Sequence, residues 1–232
     1  QTYRNDSLHT IEILEKWKAK NTVNEKKPKM VFINTTGGGM RSALWSFCAI
    51  QYCDSLLNGK LLNQTQLISG SSGGLIGLAY LRELMLRKQR KEIVHFNKSI
   101  YRNDMAKDIL NRLAFYVSVN DMLFRLQTFE DNGFTYRKDR GYAFEEQLNE
   151  NTRGYLNRRL DEYYTPEYNS EIPMLVINPT IVNNGKRLII SPQPVSYLSY
   201  NPPQNKIKNE YLNESLEFKR FFKKQGAGDL RF

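Results

Sequence analysis

Histidine is nearly missing: the 232-residue chain holds two, His9 and His95. His9 lies in a polar N-terminal arm. His95 follows the best candidate serine by about two dozen residues, whereas in α/β-hydrolases the histidine comes last in the chain. A Ser–His–Asp triad is therefore disfavoured. Cysteine is as scarce, with Cys48 and Cys53 on one predicted helix. Five positions apart, they do not share a helical face, which argues against a disulfide or a metal site and for buried thiols. That usage fits a reducing compartment. Long apolar runs are lacking too. The best candidate span, Gly73 to Met85, is interrupted by Arg82 and Glu83, and no secretory signal is recognisable. A cytoplasmic or membrane-associated location is the expectation. No nucleic-acid-binding motif is present. The Lys-Ser/Thr of a P-loop and the G-x-G-x-x-G order of a dinucleotide fold are both absent, which sets nucleotide binding aside.

What the chain has in excess is positive charge. Its formal net charge is +10, with 40% hydrophobic and 12% aromatic residues. The aromatic content favours a folded core over disorder. The charge suits an anionic membrane surface, although a merely solvated basic surface accounts for it equally well. Two basic clusters stand out, Arg87-Lys88-Gln89-Arg90-Lys91 and Lys219-Arg220 with Lys223-Lys224.

The informative stretch runs from Met30 to Tyr80. Met30–Thr35 is an apolar run that ends in Gly37-Gly38-Gly39-Met40-Arg41, and helical spacing follows from Ser42 to Leu57. Leu67–Ser69 is a second short apolar run. It ends in Gly70-Ser71-Ser72-Gly73-Gly74 and leads into helical spacing from Gly73 to Arg90. This is β–turn–α twice, with the spacing of a βαβ unit. Gly70-x-Ser72-x-Gly74 has the nucleophile-elbow pattern, in which serine sits on a strained strand-to-helix turn and flanking side chains would collide. The N–H groups at the start of the following helix are placed to hold a developing oxyanion. Gly37, Gly38 and Gly39 present bare N–H groups at the other turn. A parallel sheet puts both turns at one edge.

The remaining segments are less telling. Residues 1–29 read as a polar arm with a short helix over Thr10–Trp17. Residues 30–232 read as one α/β domain, without internal repeats. Residues 92–170 look mostly helical, including Met105–Phe129 and Gly141–Leu160, with aromatic residues in the core. Ile172–Thr180 and Arg187–Ser191 suggest a hairpin. Residues 191–209 read as an irregular loop, and Glu214–Lys224 as an amphipathic helix.

At the two glycine turns the chain resembles the patatin-like phospholipases. Gly37, Gly38, Gly39 and Arg41 match that family's G-G-G-x-R oxyanion loop. Gly70, Ser72 and Gly74 match its G-x-S-x-G elbow. The likeness is close over residues 30–90 and looser to about 200. Thr36 stands where patatins usually carry aspartate. The resemblance implies a three-layer α/β/α sandwich with a mostly parallel central sheet. It also implies a lipid acyl hydrolase using a Ser–Asp dyad, without metal or organic cofactor, acting on lipid at an anionic membrane surface and not on nucleic acid. Arg41 would brace the loop or meet substrate. The family's aspartate comes from a late Asp-Gly-Gly or Asp-Gly-Ala motif, and no Asp-Gly dipeptide occurs here. Asp131, Asp139 and Asp229 are poor substitutes, so the base is expected beyond Phe232, with the domain truncated at its C-terminus. Two other readings stay open: a non-catalytic module that binds lipid or an acyl-phosphate at the glycine loops, and an esterase using His95.

Overall fold

The computed structural model describes residues 2–24, 26–122, 127–199, 215–223 and 230–231. It is a mixed α/β structure, 54% helix with a small, mostly parallel sheet. Most of the burial is therefore made by helices laid on few strands. The central sheet joins β1 (Val31–Thr35), β2 (Thr65–Gly70) and β5 (Met174–Ile177) in the order β1-β2-β5. All neighbours are parallel: Ile33 pairs with Ile68 and Gly70 with Ile177. Helix α2 (Gly39–Leu56) and the short α3 (Lys60–Gln64) make the crossover from β1 to β2. The βαβ unit expected from the sequence is thus present.

Helix α4 (Ser72–Gln89) follows β2. Its apolar residues surround it on all sides, and Leu75, Leu78, Leu81, Leu84 and Leu86 are each at most 2% exposed. A helix with this pattern must lie inside the fold. With α2 it covers one face of the sheet through Ile33, Phe47, Ile68, Tyr80 and Leu175. The opposite face carries Met174 and Val176, packed with Ile13, Ile189 and Val195. Ile13 belongs to α1, which runs over Thr2–Asn21. The segment expected as a polar arm with a short helix is therefore one long helix. Ile13 and Trp17 seat it against the fold.

Four other expectations need correction. The region 105–129 is not one helical stretch. Helices α5 (Ser99–Ala106) and α6 (Leu110–Tyr116), then a wider π-turn over Val117–Asp121, give way to a hairpin of β3 (Thr128–Asp131) and β4 (Phe134–Arg137). Asn132 and Gly133 turn that hairpin with positive φ, a two-residue Asn-Gly signal that was legible but passed over. Helix α7 spans only Arg140–Asn151, because Arg153 and Gly154 adopt positive φ and end it. The span expected as a helix near 214–224 is strand β7 (Ser215–Glu217), then one helical turn over Phe218–Phe221. Strand β7 pairs in parallel with β6 (Arg187–Ile189). The hairpin expected at 172–191 survives as antiparallel bridges Ile177–Ile190 and Thr180–Arg187. The irregular loop expected over 191–209 lies mostly outside the described residues, although Ser196–Ser199 forms a 3-10 turn. Cys48 is half-buried and Cys53 is exposed, so neither is the buried thiol that was expected.

Candidate active site

Ser72 is the first residue of α4 and has φ of +56°. A left-handed backbone costs a residue with a Cβ about 1–2 kcal/mol, so it persists only where its surroundings hold it. The surroundings here are glycines. Gly70 has φ of +154°, and a methyl on it would overlap the Thr35 carbonyl of the neighbouring strand. A methyl on Gly73 would overlap the Gly39 carbonyl, and one on Gly74 the Thr36 carbonyl. The two strand-to-helix corners thus touch through bare backbone, which is why glycine recurs at both. The contact continues one turn on, where a methyl on Gly77 would strike the Ala43 carbonyl.

This packing brings the two motifs together. A Cβ built on Gly37 would lie 3.3 Å from Ser72 Cβ and 3.5 Å from its Oγ. Gly37 and Gly38 lie between β1 and α2, and their N–H groups donate to nothing among the described residues. Gly38 and Gly39 take φ of +136° and +60°, a turn open to glycine and few other residues. The N-terminal ends of α2 and α4 both converge here, adding two positive dipole ends to the same point. Ser72 is exposed, so its hydroxyl is open to a ligand.

The loop's brace is Ser42, not Arg41. Ser42 Oγ donates to the Thr36 carbonyl at 3.2 Å, while Arg41 lies exposed. A second brace comes from Asn178, just past β5. Its backbone N–H donates to Gly70 O at 2.8 Å and its Nδ2 to Ser69 Oγ at 2.9 Å. Sequence reasoning missed Asn178 because only the strand register reveals that it stands beside the elbow.

An apolar cleft of about 240 Å³ lies one helical turn from the elbow, and Ser72 itself does not line it. Ile76, one turn along α4 from Ser72, and Ile177, the register partner of Gly70, form its near wall. Phe144, Leu148, Leu160 and Leu230 also line it, together with Glu145 and Arg231. Burial pushes the Glu145 carboxyl above its ordinary value, opposed by Arg231.

The candidates for the base named from the sequence have other bonds or lie apart from the serine. His95 is exposed beyond the last residue of α4. Eighteen helical residues put the two ends of α4 about 25 Å apart. Its neighbour Phe96 is fixed at that far end by Gln51 and Lys88. His9 meets Gln193 at 3.0 Å and stacks on Tyr164 and Tyr168. Asp131 accepts from Arg159 and Arg231, each at 2.8 Å. Asp139 caps α7 by accepting from the N–H groups of Gly141 and Tyr142. Asp229 lies outside the described residues. Among the described residues, Ser72 Oγ has no hydrogen-bond partner, and no group of three or more His, Cys, Asp or Glu side chains is placed to hold a metal.

No family model, curated protein or solved structure matches the chain.

Proposed function

We propose that this chain carries the nucleophile and oxyanion hole of a serine acyl hydrolase that acts on lipid esters, built on a patatin-like three-layer α/β/α sandwich. The observation that carries the reading is the strained Ser72, exposed at a strand-to-helix turn with the glycine loop against its side chain. In the reaction, Ser72 Oγ attacks the ester carbonyl and its proton passes to a carboxylate base. The carbonyl oxygen takes up negative charge facing the N–H groups of Gly37 and Gly38 and the start of α4. The C–O bond to the alcohol breaks and the alcohol leaves with that proton. Water, giving a proton to the same base, then releases the acid and restores the hydroxyl. The cleft beside Ile76 and Ile177 offers the acyl tail an apolar bed. An oxyanion hole retains activity only if a base is supplied. The base is a carboxylate, and no described carboxylate is bonded to Ser72.

A fluorophosphonate probe should label Ser72 in the full-length protein, located by mass spectrometry, and Ser72→Ala should abolish both label and ester hydrolysis. Loss of the hydroxyl should lower the rate by about three or more powers of ten. A fully active Ser72→Ala protein would overturn the mechanism. The unpartnered Ser72 hydroxyl is what favours the second reading, a module that binds lipid or acyl-phosphate without turnover. A folded protein that binds lipid yet never labels would establish it.

A further inference from the structure

Helix α2 should face water with polar residues, because among the described residues nothing covers the outer face that carries its exposed side chains. Its core side is made by Ala43, Phe47 and Asp54. At 100° per residue, Trp45, Tyr52 and Leu56 fall within about 40° of one another and about 180° from that side. They are 74%, 66% and 63% exposed, which makes this a deliberate apolar ridge and not a grazing contact. The ridge runs about 16 Å along the axis. Arg41 continues the same line to the glycine loop against which Ser72 packs.

The exposed charges on α2 and on its neighbours α3 and α5 are of one sign. On α2, α3 and α5 the only acidic residues are Asp54 and Asp104, both buried. Asp54 accepts the Leu62 N–H at 2.8 Å, and Asp104 is bonded to Arg153 and Lys107. Arg41, Lys60 and Arg102 are exposed on the same three helices. Arg102 lies near enough to α2 for its charge to act on Cys48. A tryptophan and a tyrosine with an apolar line and a cationic rim is the pattern of a surface that settles at the headgroup level of an anionic bilayer. A second copy is the poorer occupant, since each chain carries a net charge of +10 and brings the same cations to the contact.

We infer that the exposed face of α2 is a membrane-docking surface, with Trp45, Tyr52 and Leu56 inserted among anionic headgroups and Arg41, Lys60 and Arg102 paired with them. Docked so, the glycine loop and Ser72 stand at the bilayer surface. The inference deepens the lipid-hydrolase reading by naming where the lipid surface meets the chain.

The sequence has two tryptophans, and Trp17 is 3% exposed, so quenching by brominated lipid reports on Trp45. The full chain should be mixed with brominated phosphatidylcholine vesicles with and without about 30 mol% phosphatidylserine. Quenching and a blue shift with the anionic vesicles, weakened by salt, are expected. The triple variant Trp45→Ala/Tyr52→Ala/Leu56→Ala should pellet with vesicles at least about tenfold less well, with unchanged melting and unchanged cleavage of a soluble short-chain ester. Absence of quenching, or equal pelleting of the triple variant, overturns the inference. So does a Trp45 that acrylamide cannot reach in vesicle-free protein, with ultracentrifugation showing whether a second copy covers it. Vesicle docking without fluorophosphonate labelling of Ser72 would uphold the docking face and remove the hydrolase.

Discussion

At its N-terminal end α4 is held by bare backbone against bare backbone, and three turns further on by buried charge. Gly73, Gly74 and Gly77 let it lie on the carbonyls of Gly39, Thr36 and Ala43. Beyond Leu81 the contacts change in kind. Arg82 is 1% exposed and Glu83 fully buried. Arg82 donates to Pro173 O at 2.8 Å and pairs with Glu167, while its guanidinium lies 4.5 Å from the Tyr163 ring centre. Glu83 accepts from Arg87 at 2.8 Å, Arg158 at 3.0 Å and Tyr163 Oη at 2.8 Å. The glycine end fixes distances between main chains and so sets the geometry of the serine corner. The ionic end ties α4 to residues 158–173, beyond the reach of any local pattern. The first tolerates no added atom; the second tolerates no lone partner.

The largest effect should come from adding one methyl to the glycine end. Gly73→Ala and Gly77→Ala each place a carbon on a backbone carbonyl that cannot swing away. Each should cost more than about 4 kcal/mol or prevent folding, measured by urea unfolding and soluble yield. A well-folded Gly73→Ala protein would mean that the two corners do not touch as described.

Next comes the ionic end. Arg82→Met leaves Glu167 without its cation and Pro173 O without its donor, and should cost about 3–5 kcal/mol. Replacing both partners by apolar residues, Arg82→Met/Glu167→Leu, should recover a large part of that loss, since the desolvation cost disappears with the pair. The glycine end offers no such rescue, and the contrast can be read from one set of denaturation curves.

A smaller, pH-dependent effect distinguishes the two ends further. Burial pushes the Glu167 carboxyl up to about 7 from the usual 4.5, against the pull of Arg82. The folded chain then holds that proton more tightly than the unfolded chain does. The contribution is full below about 4.5 and is lost as pH rises through about 7. Asp104 runs the opposite way. Burial pushes it up, but hydrogen bonds from Arg153 and Lys107 outweigh burial and hold it below its ordinary value, so its contribution is lost only in acid. Glu167→Gln keeps an acceptor for the Leu175 N–H and removes the titration. The stability difference between wild type and this variant should shrink between pH 5 and pH 7.5, by on the order of 2 kcal/mol. An unchanged difference would show that Glu167 stays charged throughout.

How much of this was readable in advance follows the same division. Both glycine corners, their strands and their helices were legible, because a glycine required by the main chain leaves its mark at a fixed offset from the strand it ends. Helix α4 showed its burial by being apolar all round. Arg82 and Glu83, however, looked only like interruptions of an apolar run. Their partners Arg158, Tyr163 and Glu167 lie some 75–85 positions away, and no periodicity connects them. Asn178 was hidden for the same reason. Helix α1 was underestimated because its buried contacts are few, Ile13 and Trp17 among charged neighbours. The hairpin at 128–137 was overrun by a helical reading of its flanks, despite its Asn-Gly turn.

The smallest effect concerns the serine itself, where position and chemistry can be separated. Ser72→Ala and Ser72→Gly both remove Oγ and should both abolish turnover on the proposed mechanism. They differ only in the Cβ, and at φ of +56° that atom is what the backbone resists. Glycine removes the resistance, worth about 1–2 kcal/mol, and costs about 0.5–1 kcal/mol in the entropy of the unfolded chain. Ser72→Gly should therefore be more stable than Ser72→Ala by about 0.5–1 kcal/mol. In an ordinary helix position the order is the reverse, because alanine is the better helix former by nearly 1 kcal/mol. The sign of this one difference, read by thermal denaturation, tests whether the corner stores strain at the hydroxyl. It does so without any assumption about substrate, base or bilayer.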